Sequence, residues 1–207
     1  MSVMPSLATL LEAMQNKGIP FESGLTSSEA ETIENSYGLR FPPDLRELLS
    51  AGLPVGDDFP NWRTGWIKRG PGSRSIVDLL DWPAEGICFD IENNGFWMQG
   101  WGPKPDALED AFRVARSMVR QAPPLIPVFS HRFLPAEPLT AGNPVLSVYQ
   151  TDIIYYGVDL ASYCIREFEL PAVNEGNGNK SPRRIRFWSD IIDRMEGEFE
   201  SERARNE

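Results

Sequence analysis

The chain has 207 residues, 41% of them hydrophobic, with a formal net charge of −10 and a pI of about 4.7. That length and apolar content suit one globular domain with a full core of its own, and the negative balance disfavours phosphate backbones and anionic membranes while suiting a basic protein partner. No run of about 18 apolar residues offers a membrane span, and residues 1–17 lack a basic start and a small-residue cleavage site, so the expected setting is the cytoplasm.

Leu7, Leu10, Leu11 and Met14 recur at i, i+3, i+4 and i+7, an apolar helical stripe that Gly18 terminates. Thr26 and Glu29 stand in a capping-box spacing, and Ala30, Ile33 and Tyr37 continue one helical face up to Gly38. Pro42-Pro43 opens a third helix, since proline is tolerated in a first turn, and Leu45, Leu48 and Leu49 form its buried side before Gly52. Residues 53–74 read as a long ordered loop with a short strand near Trp66.

Ser75–Trp82 reads as a helical turn closed by Pro83. Ile87–Ile91 and Phe96–Met98 flank Asn94-Gly95, a hairpin signal, which would place Asp90 and Glu92 on one strand face. A further amphipathic helix covers Asp106–Gln121, with Leu108, Ala111, Phe112, Ala115 and Val119 inward. Leu125–Phe129, Val145–Tyr149 and Ile153–Tyr156 are strand-like by their β-branched and aromatic content. Asp159 is placed to cap a helix running to Phe168, residues 174–182 read as a Gly- and Asn-rich flexible loop, and Trp188, Ile191, Ile192, Met195 and Phe199 stripe a last helix whose charged tail is expected to fray from Glu200. Helices first, then strands mixed with helices, predict an α+β fold.

Cys88 and Cys164 each sit in an apolar stretch and read as buried thiols. The single histidine, His131, is either a general base with Ser130 or an aspartate, or a hydrogen-bonded residue at a strand end; no Gly-x-Ser-x-Gly elbow surrounds it, and the structural role is preferred. His/Cys metal sites are excluded by count, and Asp57, Asp58, Asp78, Asp81, Asp90 and Glu92 read as structural or solvated rather than cation ligands. Gly70-Pro71-Gly72-Ser73 lacks the lysine of a phosphate cradle. Arg183, Arg184 and Arg186, with Lys68-Arg69, are too few to offset the overall charge for nucleic-acid binding. No catalytic, metal-binding or cofactor-binding residue is assigned.

Six tryptophans stand out, because loop tryptophans make large contacts with few rotatable bonds. The partner-binding candidates are Asp57, Asp58, Trp62, Arg63, Trp66, Glu92, Trp97 and Trp101, on two segments (53–74 and 92–104) expected to converge as an acidic rim around an aromatic centre.

The run Gly38-Leu39, Phe41-Pro42, Asp44-Leu45 and Leu48-Leu49, closed by Gly52, together with Ile126–Pro135, Gly142–Gly157 and Phe187–Asp190, resembles the SUKH superfamily in its Smi/Knr-type, cell-wall-assembly-regulator-like branch. The resemblance spans roughly residues 24–195. It implies a mixed, largely antiparallel β-sheet with helices packed against it, preceded by a helical extension at 1–22, with the domain at 23–200 and a charged tail at 201–207. It also implies a non-enzymatic, cytoplasmic immunity-type protein that binds and neutralises a toxin domain, or alternatively a regulatory or scaffold module with an endogenous protein partner. The family carries no shared catalytic residues to transfer.

Overall fold

The computed structural model describes residues 7–69, 72–171 and 180–206. The fold is α+β, and every strand pairing among the described residues is antiparallel. Three helices come first: α1 (Leu7–Asn16), α2 (Ser27–Tyr37) and α3 (Pro43–Ala51), with β1 (Phe21–Glu22) pairing β2 (Leu53–Pro54) around them. A small three-stranded sheet follows, β3 (Pro60–Asn61), β4 (Trp66–Arg69) and β5 (Gly72–Ser75), and then α4 (Ile76–Asn93) and α5 (Leu108–Gln121). The main sheet has the order β6 (Leu125–Phe129), β7 (Arg132–Pro135), β8 (Val145–Tyr149), β9 (Asp152–Gly157). Helices α6 (Leu160–Glu167) and α7 (Trp188–Asn206) complete the chain.

Local chemistry sets the helix starts. Thr26 and Glu29 close a reciprocal capping box, and Gly38 at φ +65° ends α2 in the left-handed conformation that glycine adopts without a Cβ penalty. Asp159 caps α6 by accepting the Ser162 amide at 2.9 Å. Burial raises the Asp159 pKa, but the Ser162 amide and the Lys180 ammonium outweigh it and hold the carboxyl below its ordinary range.

The main sheet divides the interior, because alternate residues of a strand face opposite sides. Ile126, Leu134 and Val145 join a cluster with Leu10, Leu11 and Met14 of α1, Leu45, Leu48 and Leu49 of α3, and Tyr163 and Cys164 of α6. Leu125, Phe133, Leu146, Val148 and Ile153 join a second cluster with Ile87 and Ile91 of α4, Ala111 and Ala115 of α5, and Trp188, Ile191 and Ile192 of α7. Both apolar stripes read at the two ends of the sequence are therefore core faces, and α1 packs into the first cluster.

Several sequence expectations are corrected. Residues 76–93 form one helix of 18 residues; there is no hairpin across 87–98. Ser75 and Asp78 make a capping box, and Ile76, Leu79, Pro83, Ile87 and Ile91 recur at helical spacing on the buried side. Asn94-Gly95 ends this helix instead of turning a hairpin: the Asn94 and Phe96 amides both donate to the Asp90 carbonyl at 3.0 Å, and Gly95 takes φ +70°. Asp90 and Glu92 thus lie on a helix, not a strand face, and Asp90 is buried while Glu92 is exposed. The 53–74 segment is richer in strands than a loop, and β7 was invisible to propensity alone. Helix α5 starts at Leu108 rather than Asp106, and Leu108 is exposed. Helix α7 continues through the charged tail to Asn206, in keeping with the high helix propensity of Glu and Arg. Of the expected loop 174–182, residues 174–179 lie outside the described residues, as do the side chains of Leu7 and Phe199.

Candidate functional site

Of the eight partner-binding candidates, Trp62 packs in the first cluster and Trp97 and Trp101 against the second, while Asp57, Trp66 and Glu92 are exposed and Asp58 and Arg63 are partly buried. Trp62 is buried at 4% exposure, with edge contacts to Phe41 at 5.1 Å and Tyr37 at 6.0 Å, and is a core residue. Arg63 clamps the chain: its Nε donates to Glu29 at 2.8 Å, and its terminal nitrogens donate to the carbonyls of Ser23 and Gly24 at 2.8 and 2.9 Å. The Arg63 hydrogen bond, reinforced by those from Thr26, lowers the Glu29 pKa to about 2. Trp66 is 53% exposed on β4, the strand whose Lys68 pairs with Asp57 at 3.1 Å.

Trp97 and Trp101 belong to the second cluster and are partly buried. Their rings meet edge-on at 5.3 Å, Trp97 Nε1 donates to the Gly102 carbonyl at 2.7 Å, and Trp101 stacks on Phe187. Glu92 is exposed and forms no ion pair among the described residues. One aromatic centre fed by both segments is therefore not assembled, because packing against separate cores draws Trp62 and the Trp97–Trp101 pair apart.

The structure instead gathers side chains at one end of the main sheet. The β6–β7 and β8–β9 turns lie at the same end, since Arg132 pairs with Ser147 and the Val148 amide donates to the His131 carbonyl at 3.0 Å. On the face opposite Val148 and Ile153, Tyr149 is 58% exposed and Ile154 44%. Beside them the Arg132 guanidinium lies 3.8 Å from the Tyr156 ring centroid and the Arg166 guanidinium 4.3 Å from it. Arg132 also donates to Glu167 at 3.1 Å and to Ser147 Oγ at 2.7 Å, bracing β7, β8 and α6 together.

Ser130 Oγ lies 3.2 Å from His131 Nδ1. Arg132 contacts Nε2 on the other side of the ring. Both ring nitrogens of His131 are therefore in contact with neighbouring side chains.

Tyr163 is buried at 2% exposure with a hydroxyl lacking a hydrogen-bond partner, and desolvation drives its pKa well above the usual value. It lines an apolar cavity of about 20 Å³ with Met14, Leu45, Trp62 and Phe168, which holds one water at most. No cluster of three or more metal-ligating side chains occurs among the described residues, and no helix among them is long and apolar enough to cross a membrane.

Compared with protein-family models, with curated proteins and with solved structures, the chain has no match.

Proposed function

We propose that this chain is a protein-binding domain of the immunity type, acting in the cytoplasm, whose partner is a basic toxin domain that it neutralises by occupying its surface. The observation that carries the reading is the exposure of large apolar side chains on a strongly acidic molecule. Trp66, Phe89, Tyr149 and Ile154 are 53%, 48%, 58% and 44% exposed, in a chain of net charge −10. Exposed apolar anchors on a molecule of net negative charge favour a macromolecular partner of the opposite sign, steered by the long-range field. The resemblance to SUKH proteins supplies the toxin as the class of partner.

The test is co-expression with a toxin encoded beside this gene. Restored growth of the host, together with a co-purifying complex whose association slows as salt rises, supports the reading. A toxin that kills equally with and without the chain overturns it.

A further inference from the structure

We propose that the outward face of α4 is the surface that receives a basic segment of that protein partner; this inference rests on the protein-binding reading above. Helix α4 contains Asp78, Asp81, Glu85, Asp90 and Glu92 and no Lys, Arg or His in its 18 residues. At about 100° per residue, Asp78, Trp82, Glu85, Phe89 and Asn93 fall within an arc of about 80° on the helix surface, with Asp81 and Glu92 beside it. Asp90 points the other way, into a buried bond with Thr151.

This face is built for contact. Phe89 is 48% exposed although its neighbours Cys88 and Asp90 are buried. It stands one turn from Glu85 and less than one from Glu92, so an aromatic anchor sits between carboxylates. Alongside the N-terminal half runs an open groove of about 350 Å³, floored by Leu39, Leu80 and Val119, with Asp81 and Glu85 from α4 and Arg116 and Arg120 from α5 on its lining. Arg116 pairs with Glu85 at 3.2 Å, and Arg74 stacks over Trp82 at 4.7 Å. The chain's own cations therefore already rest on this face, while Asp81 and Glu92 form no ion pair among the described residues.

The occupant that fits is a lysine- and arginine-rich protein segment. Its alkyl stems can lie on Phe89 while its charged heads meet Asp81 and Glu92, the carboxylates there that form no ion pair among the described residues. A nucleic acid, an anionic membrane or a second copy of this chain would bring negative charge to negative charge.

The test titrates a lysine/leucine amphipathic peptide into the isotope-labelled chain and follows the backbone amides by NMR, with a glutamate/leucine peptide as control. Shifts concentrated in residues 76–93 and the groove, a Kd raised at least about tenfold by Phe89→Ala and by Asp81→Asn with Glu92→Gln, and loss of binding in high salt support the proposal. Phe89 is exposed, so thermal melts of the variants are expected to match the parent and exclude misfolding. Shifts centred on Tyr149 and Ile154, shifts scattered over the surface, or variants that bind as tightly as the parent overturn it. The same variants enter the toxin assay. Full neutralisation by them removes α4 as the contact and leaves the immunity reading standing; failure of the parent chain to neutralise removes that reading, and the peptide titration still decides α4.

Discussion

The Ser130 amide donates to the carbonyl of Asp58 at 2.7 Å, and both residues hold left-handed backbones, at φ +48° and +69°. This bond fastens the β6–β7 turn to the small sheet. Non-glycine residues in this region carry about 1–2 kcal/mol of strain, and here a bond between the two strained residues holds the geometry. Ser130→Gly relieves the strain, partly offset by added freedom in the unfolded chain. The expected outcome is a gain of about 0.5 kcal/mol in urea unfolding. Toxin neutralisation by this variant is expected to equal that of the parent; its loss would restore Ser130 as a reactive group.

Helix α4 docks on the β8–β9 turn at Gly86, where an added Cβ would stand 2.7 Å from Gln150 Cα. Glycine to alanine inside a helix ordinarily stabilises by about 1 kcal/mol. Here the clash is with backbone, which cannot swing aside, so Gly86→Ala is expected to destabilise by about 1–2 kcal/mol, measured by chemical denaturation. An increase in stability would show that the helix stands off the turn.

Asp90 locks the same junction, accepting the Thr151 amide at 2.8 Å and its hydroxyl at 2.6 Å in a buried setting. Asp90→Ala strands both donors and is expected to cost about 2–4 kcal/mol. Amide exchange at Thr151 should accelerate well beyond that of the sheet centre; unchanged protection would refute the assignment.

Much of this was written locally in the sequence, and the exceptions are instructive. Thr26–Glu29 and Asp159 announce their helices because a cap depends on residues three apart. Helix α4 is hidden because Pro83 and Asn94-Gly95 are strong short-range signals, while the apolar period that overrides them extends over 18 residues. The fates of Trp62 and Trp66 could not be separated from their neighbours: one meets Phe41 across the fold, and the other lies on the outer side of a strand. The α4 face is hidden likewise, since Phe89 reads as a core residue wherever 87–91 is taken for a strand.

Glu29 provides a pH test. Its pKa falls to about 2 in the folded chain, chiefly through the hydrogen bond from Arg63. A lowered folded pKa means that the stabilisation is fully present above the ordinary value of 4.5 and is lost as pH falls from there through about 2. The stability difference between the parent and Glu29→Gln is therefore expected to be constant near neutrality and to shrink below about pH 4.5. A difference independent of pH down to 2 would exclude a charged Glu29 as the source.

Both thiols are buried, and desolvation lifts Cys164 to about 12 and raises Cys88 as well. Since the thiolate is the reactive form, neither cysteine is expected to react with a disulfide reagent at pH 8 until the chain is unfolded. Rapid native labelling of Cys88 would indicate local opening of α4.

The main sheet is apolar on both sides, and this changes what keeps its strands aligned. Phe133 and Leu134 are both fully buried, in different clusters, as are Leu146 and Val145. A slip of β7 by one residue would exchange the two side chains between the cores and leave both out of water, so oiliness alone barely discriminates right from wrong pairing. Discrimination falls to the few polar residues that tolerate only one alignment: Ser147 with Arg132, Thr151 with Asp90, and the fully buried Asn143, whose amide donates to the carbonyls of Pro135 and Pro138 at 2.9 Å. These groups act as the index marks of the sheet.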